Sequence, residues 1–360
     1  MELFSCRTRI LSGPGSIMDL KNLGAGRAFL VTDSYFVKSG MAKKVLAASG
    51  CQESRIFDRV TPDPSVELAA EGTAEFKKFR PDLLIALGGG SSMDCAKAIS
   101  YFSGENIPFA AIPTTSGSGS EVTDFAILTH GGIKHPLVDA SLQPDYAILD
   151  SELLQSLPRS LIADAGFDVL SHALEAAAAK GAGTVSDLFA RESFRLAYEN
   201  LAESYGGRLS ARQPVHEAAT MAGLAFNQAG LGLCHAMSHS LGGLFHVPHG
   251  RLNAVLMPAV LEINEKAVGH RYAELARFAG LGGSADTVAL RNLKNGLRTL
   301  RRQLDLPETL QQAGIDPGQV WGQTEKITEA VLKDPCCGSN PVPVDSSVVK
   351  TVLQQVTGHV

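Results

Sequence analysis

The feature that most constrains this chain is a change of period part-way along it. Up to about Pro158, short apolar runs alternate with amphipathic segments; beyond it strand signals nearly vanish and long helical segments take over. In the first part, Ala28 to Asp33, Glu53 to Phe57, Asp82 to Leu87, Phe109 to Pro113 and Tyr146 to Leu149 read as strands. Gly40 to Ser49, Val66 to Phe79 and Ser91 to Phe102 read as helices between them, and Thr129 to His135 as a polar, turn-rich stretch. Such βα repetition calls for a parallel sheet covered by helices, a design that binds ligands at the carboxyl ends of its strands. The second part predicts helices over Ala163 to Ala179, Val185 to Tyr205, Val215 to Ala229, Leu252 to Ala267, His270 to Ala279, Asp286 to Gln303 and Val344 to Val356. The expectation is an α/β, Rossmann-like parallel-sheet domain over 1–158 and an all-α helical domain over 159–360.

Charge and composition narrow the function. The net charge is −5 with no basic run, so neither nucleic acid nor an anionic membrane surface has an electrostatic partner here. No apolar stretch is long enough to span a membrane, and the opening MELFSCRTRI lacks the continuous apolar segment of a signal peptide, so a cytoplasmic protein is expected. The six cysteines show no C-x-x-C spacing and read as reduced thiols.

Two regions carry chemistry. Leu231 to Gly250, LGLCHAMSHSLGGLFHVPHG, holds four of the ten histidines in an apolar setting. His235 and His239 are four apart and share a helix face, whereas His249 follows Pro248, where the helix has broken and the chain folds back. His246 lies in the same return, and upstream Asp168 and His172 form a second i, i+4 pair. One carboxylate and several imidazoles suit a divalent first-row metal, with Zn and Fe(II) the plausible ions; spacing does not choose among the histidines. Cys234, next to His235, points elsewhere on a helix and reads as packing.

The other region is Gly88-Gly89-Gly90-Ser91-Ser92-Met93-Asp94, which follows a strand and opens a helix. Glycines let a phosphate approach the backbone, and the helix N-terminus supplies partial positive charge. The dinucleotide fingerprint G-x-G-x-x-G fails at its last position, Met93, so a tight turn with a serine cap stands beside the phosphate reading. Ile112 to Thr123, rich in hydroxyls and glycine, leaves the next strand. Asp33, at the end of a strand, is placed to bind a ribose diol and to repel a 2′-phosphate, which favours NAD over NADP.

Together GGGSSMD at 88–94, IPTTSGSGSEVT at 112–123, DVLSH at 168–172 and HAMSHSLGGLFHVPHG at 235–250 resemble the iron-containing (group III) alcohol dehydrogenases over nearly the whole chain. Val60 to Ser65, Gly132 to Pro136 and Ala225 to Leu233 are similar, more narrowly, to the 1-propanol dehydrogenases of propanediol-utilisation microcompartments. The resemblance implies the dehydroquinate synthase-like fold, with Asp168, His172, His235 and His249 as metal ligands for Fe(II) or Zn and His239 beside substrate and nicotinamide as a proton relay. It implies NAD(H) contacts at Asp33, Gly89, Gly90, Ser91, Thr114, Thr115, Ser118 and Lys134, and a substrate pocket lined by Phe226. One departure is Val342, where the family commonly has Arg after Asn-Pro.

The expected reaction is the interconversion of a short primary alcohol and its aldehyde, propanal reduction regenerating NAD+ in particular. A homo-oligomer, at least a dimer, and residence in a microcompartment with its shell or cargo proteins also follow from the resemblance. Glycerol dehydrogenases and 3-dehydroquinate synthases use Zn on a related pair of domains, but the D-x-x-x-H plus H-A-M-S-H pattern argues against them. A lactaldehyde- or butanol-type dehydrogenase is the nearer alternative. A metal- or nucleotide-binding assembly partner is the non-enzymatic one.

Overall fold

A computed structural model describes residues 4–131 and 133–358, which fall into two compact units, Ser5–Leu157 and Pro158–Val360, the latter joined by Phe4. Phe4 belongs there because its ring stacks on that of Phe189, centroids 5.4 Å apart.

Among the described residues the first unit holds eight strands: β1 (Arg9–Ser12), β2 (Arg27–Val31), β3 (Glu53–Phe57), β4 (Leu83–Gly88), β5 (Phe109–Pro113), β6 (Phe125–His130), β7 (Ile133–Val138) and β8 (Tyr146–Leu149). Its α-helices are α1 (Ser34–Lys38), α2 (Met41–Ser49), α3 (Val66–Phe79) and α4 (Gly90–Ser103). Six strands form one wholly parallel sheet in the order β1-β8-β5-β4-β2-β3. Alternation within the strands assigns its faces. Leu30, Leu83, Ile85, Leu87 and Ile112 pack with Ala42 and Val45 of α2, whereas Phe29, Val31, Leu84 and Ala86 pack with Phe76 of α3 and Met93 and Ile99 of α4.

Strand order fixes where a ligand could bind. From β2 the chain steps outward to β3, then recrosses β2 through α3 to reach β4, and from β4 it steps the other way to β5. The chains leaving β2 and β4 therefore diverge onto opposite faces, which opens a crevice at the adjoining carboxyl ends of these strands. Val31 pairs with Ala86, so Asp33 and Gly88 lie two residues further along neighbouring strands at that point.

Two elements differ from the sequence reading. The stretch read as polar and turn-rich is an antiparallel hairpin, β6 with β7, pairing Thr129 with Lys134 and Ile127 with Pro136. Its sequence hides because much of it faces solvent on both sides, and a proline sits in one strand. The short edge strand β1, exposed over most of its length, is ordered by pairing Arg9 with Tyr146 through Ser12 with Leu149. Gly132, the first residue of the Gly132 to Pro136 sequence similarity, lies outside the described residues.

The second unit is helical throughout its described residues. Its helices are α5 (Arg159–Ala178), α6 (Thr184–Tyr205), α7 (Arg212–Ala229), α8 (Leu233–Phe245), α9 (His249–Phe278), α10 (Asp286–Gln303), α11 (Pro317–Gly322), α12 (Thr324–Lys333), α13 (Cys336–Ser339) and α14 (Ser346–Val356). Helix α5 packs against α6, α7 and α9, so its alanine-rich sequence is buried on nearly every face. Helix α9 spans both segments read as separate helices, with Val268 in a non-helical conformation at their junction. Pro258 within it lacks an N–H, which frees the Ala254 carbonyl; Arg301 Nη1 of α10 donates to that oxygen at 3.3 Å. No helix among the described residues is long and apolar enough to cross a membrane, and the six cysteines are free thiols.

Candidate functional site

Helices α5, α8 and α9 bring one carboxylate and three imidazoles together. Asp168 Oδ1 lies 3.5 Å from His235 Nε2, 3.6 Å from His249 Nε2 and 3.9 Å from His172 Nε2. Donor atoms of Asp168, His235 and His249 all fall within 4.8 Å of one another. The rings of His172 and His235 stack with centroids 4.4 Å apart.

Local sequence explains this convergence. The i, i+4 spacing puts Asp168 and His172 on one face of α5. Helix α8 closes at His246, held in the left-handed conformation (φ 56°), and Pro248 then caps α9, so His249 opens the next helix against α8. Gly250 allows α9 to meet α5, because a Cβ there would lie 2.0 Å from the Asp164 carbonyl oxygen and 3.2 Å from Asp168 Cβ. Beside that contact Arg251 donates two bonds to the Asp164 carboxylate, at 3.1 and 3.0 Å.

Three polar residues that spacing did not single out support the set. Glu175 accepts from the backbone N–H of Gly232 (2.9 Å), Cys234 (2.7 Å) and His235 (3.4 Å), and lies 2.7 Å from His235 Nδ1. It thus caps α8 from a remote helix, receives the positive end of its dipole and leaves His235 Nε2 to face Asp168. Asn253, one turn beyond His249, donates to Asp168 Oδ1 at 2.6 Å. Asp334 lies 2.8 Å from His239 Nδ1 and orients that ring, which stacks on His249 at 5.1 Å. The one signal for Glu175 was a charged residue in the alanine-rich run of α5. Asn253 and Asp334 carried none.

Electrostatics follow from the crowding. Burial opposes ionisation of Asp168, but His172, His249 and His235 outweigh it and hold the carboxyl far below the usual carboxylate range. Burial likewise opposes a charge on His235, yet its hydrogen bonds with Asp168 and Glu175 raise it to about 9. His249 is pushed well below the ordinary imidazole value by desolvation, then by the neighbouring imidazoles, against the pull of Asp168. Burial raises the Cys234 thiol well above its ordinary value, in keeping with a packing residue.

The donor set fits a metal. Four ligands about 2.0–2.1 Å from a tetrahedral ion stand roughly 3.4 Å apart, close to the 3.5, 3.6 and 3.9 Å separations of Asp168 from the three imidazoles. Phe226, buried on α7, lies against His172 with ring centroids 4.5 Å apart.

At the switch point of the sheet, Gly89 caps α4 without a side chain. A Cβ at Gly89 would approach Thr115 Oγ1 to 3.2 Å, and one at Gly90 would approach Ser118 to 3.3 Å. Glycines thus keep open a cradle walled by the 114–118 loop, with Ser91 in the first turn of α4. Thr114 donates its N–H to Gly88 O at 2.9 Å, and its buried Oγ1 has no hydrogen-bond partner. Asp33 caps α1, accepting from Tyr35 N at 2.8 Å and Phe36 N at 3.4 Å. Lys134, on β7, pairs with Asp63 at 2.6 Å, and its charge also acts on the carboxyl of Asp94 in the glycine-rich motif. An unpartnered hydroxyl and a Cβ-sized cradle at a helix N-terminus fit a phosphate-bearing cofactor.

One carboxylate among three imidazoles on helices makes a candidate centre for a divalent first-row ion, in a chain that also carries a doubly wound sheet of the dinucleotide-binding kind. Comparison with known proteins makes the assignment specific. The profile of the iron-containing alcohol dehydrogenases matches residues 7–151, and that of the C-terminal part of the Fe-containing alcohol dehydrogenase family matches residues 162–357. This chain belongs to the iron-containing alcohol dehydrogenase family. It is 38% identical to 1-propanol dehydrogenase PduQ of Citrobacter freundii, over 99% of this chain and 100% of that one. It is 36% identical to the NADPH-dependent butanol dehydrogenase of Clostridium saccharobutylicum, over 99% and 98% of the two chains. Sulfoacetaldehyde reductase of Bifidobacterium kashiwanohense, solved with NAD+, superposes with a TM-score of 0.89 at 27% identity, covering 98% of each chain.

Proposed function

We propose that the protein interconverts a short-chain primary alcohol and its aldehyde with NAD(H), with propanal reduction to 1-propanol as the working direction. The observation that carries this reading is the Asp168–His172–His235–His249 cluster in a chain of this family. The sheet unit, 1–158, acts as the dinucleotide-binding domain, and the helical unit, 159–360, as the metal-binding catalytic domain. A divalent ion, Fe(II) with Zn as the alternative, would polarise the substrate oxygen while a nicotinamide exchanges hydride with the carbinol carbon.

This chain's own groups do the rest. Asp168, His172, His235 and His249 hold the ion. Gly89, Gly90, Ser91, Thr114, Thr115 and Ser118 cradle the pyrophosphate, and Lys134 contributes its charge. Asp33 holds the ribose diol, and its carboxylate disfavours a 2′-phosphate, which selects NAD over the NADPH used by the butanol dehydrogenase relative. Phe226 presents an apolar wall beside His172 to a short alkyl chain. His239, held by Asp334 and with 36% of its side chain accessible, passes the alcohol proton to solvent.

The likeness to PduQ supports residence in a microcompartment within the cytoplasm, and a homo-oligomer, at least a dimer, is the assembly we expect. NADH oxidation with propanal, on metal-free, Fe(II)-loaded and Zn-loaded protein prepared without oxygen, tests the proposal. Turnover restored by Fe(II) supports it. A loaded protein that binds NADH but turns over neither propanal nor butanal refutes the substrate reading.

A further inference from the structure

Asn253 sits at the centre of the ligand cluster without being one of the expected ligands, and it is fully buried. Its amide nitrogen lies 2.6 Å from Asp168 Oδ1, 3.1 Å from His249 Nε2 and 3.3 Å from His235 Nε2. Its amide oxygen faces the other way and accepts from Ser238 Oγ and, at 3.4 Å, from Cys234 Sγ. That arrangement determines the orientation of the amide. A hydroxyl and a thiol can both donate to an oxygen, and a carboxylate can only accept, so the NH2 must face Asp168. The reversed amide would set its oxygen against the carboxylate, an acceptor against an acceptor in a buried site.

The consequence is mechanical. Ser238 and Cys234 flank His235 on α8, Asn253 follows His249 by one turn on α9, and Asp168 is on α5. One amide therefore ties together all three helices that carry the cluster. The shortest contact of its nitrogen is to Asp168 Oδ1, the oxygen that all three imidazole nitrogens surround. We propose that Asn253 is a positioning residue, pinned by Ser238 and Cys234, whose N–H holds Asp168 Oδ1 at the point where it ligates the metal. The inference rests on the reading of the cluster as a metal site, and it adds a residue outside the ligand set. Groups that hold ligands in this way tune metal affinity by 10- to 100-fold in other proteins.

The test is metal affinity of the full-length protein, stripped with a chelator and titrated with Zn(II) against a chromophoric competitor. Three variants are compared with wild type: Asp168→Ala, Asn253→Leu, which keeps the branched shape without the donor, and Asn253→Ser, too short to reach Asp168 but small and polar enough to fold where leucine does not. The expected result is roughly 10- to 100-fold weaker Zn(II) binding in the Asn253 variants, with the folded fraction and secondary structure retained. Co(II) in place of Zn(II) gives a second readout, since a displaced carboxylate changes the intensity of its visible ligand-field bands. Unchanged or tighter Zn(II) binding with an unchanged Co(II) spectrum, at whatever thermal stability, would overturn the inference and leave Asn253 a packing residue. If wild type and Asp168→Ala bind Zn(II) equally, it is the metal-site reading itself that fails.

Discussion

Glu175 gives the sharpest prediction, because its carboxylate is shared between the start of a helix and a candidate ligand. It is 2% exposed and serves four donors: the N–H groups of Gly232, Cys234 and His235, and His235 Nδ1. Glu175→Ala would leave these donors buried and unpaired, at a cost of about 3–5 kcal/mol, the range for removing one partner of a buried charged pair. Glu175→Gln is the more informative change, since its shape is preserved and one oxygen still accepts from the backbone. It removes the charge that helps to raise His235 and turns an N–H toward one of the donors. The expected effect is about 1–3 kcal/mol of stability and a 10- to 100-fold loss of metal affinity, equivalent to about 1.4–2.7 kcal/mol of binding. Urea unfolding of stripped protein and chelator competition on the folded protein measure the two separately. A Glu175→Gln protein that unfolds earlier yet binds Zn(II) as tightly as wild type would refute the claim that this carboxylate tunes a ligand.

Three further outcomes follow from the geometry. Gly250→Ala sets a Cβ 2.0 Å from the Asp164 carbonyl oxygen; forcing α9 away from α5 should cost about 1–3 kcal/mol in urea unfolding and weaken metal binding by carrying His249 from Asp168. Lys97 is buried, donates to Thr123 O, Thr123 Oγ1 and Phe125 O, and is lowered by burial to about 8. The unfolded chain therefore holds more protons than the folded one between that value and the ordinary lysine range. Stability of wild type relative to Lys97→Met should rise with pH across that window, by up to about 3 kcal/mol. The comparison must be differential, since burial raises the Cys95 thiol to about 12 and pulls the other way above pH 9; a flat or falling difference would contradict the charge assignment. Finally, Asp334→Asn should leave metal content unchanged but lower turnover and move the pH–rate profile, by releasing His239; a profile identical to wild type would remove His239 from proton transfer.

Legibility of the sequence tracked the range of each interaction. The parallel sheet was readable because each of its buried strands is a short apolar run, as in Leu83–Gly88, buried on both faces. Strands β1 and β7 were not, because pairing partners and not their own side chains order them. At the site, the i, i+4 pair of Asp168 and His172 and the histidines around Pro248 announced themselves through spacing. Their supports did not, since Glu175 reaches His235 across 60 positions, Asn253 reaches Asp168 across 85, and Asp334 reaches His239 across 95. A buried polar residue whose partner is so far along the chain leaves no periodic trace.

The tight turn between α8 and α9 bears on how such a chain would come by its ion. His235 and His249 belong to a helical hairpin closed by three residues, His246 to Pro248, whereas Asp168 and His172 arrive from α5, which ends at Ala178, well before α8 begins at Leu233. Local hairpins close in microseconds, and distant helices dock only once loop closure and core packing allow. A nascent chain would thus present a two-imidazole claw to the surrounding solution before the four-donor shell is complete. Imidazoles alone discriminate poorly among first-row ions, so the occupant would be settled by which ion is abundant and exchangeable in that interval.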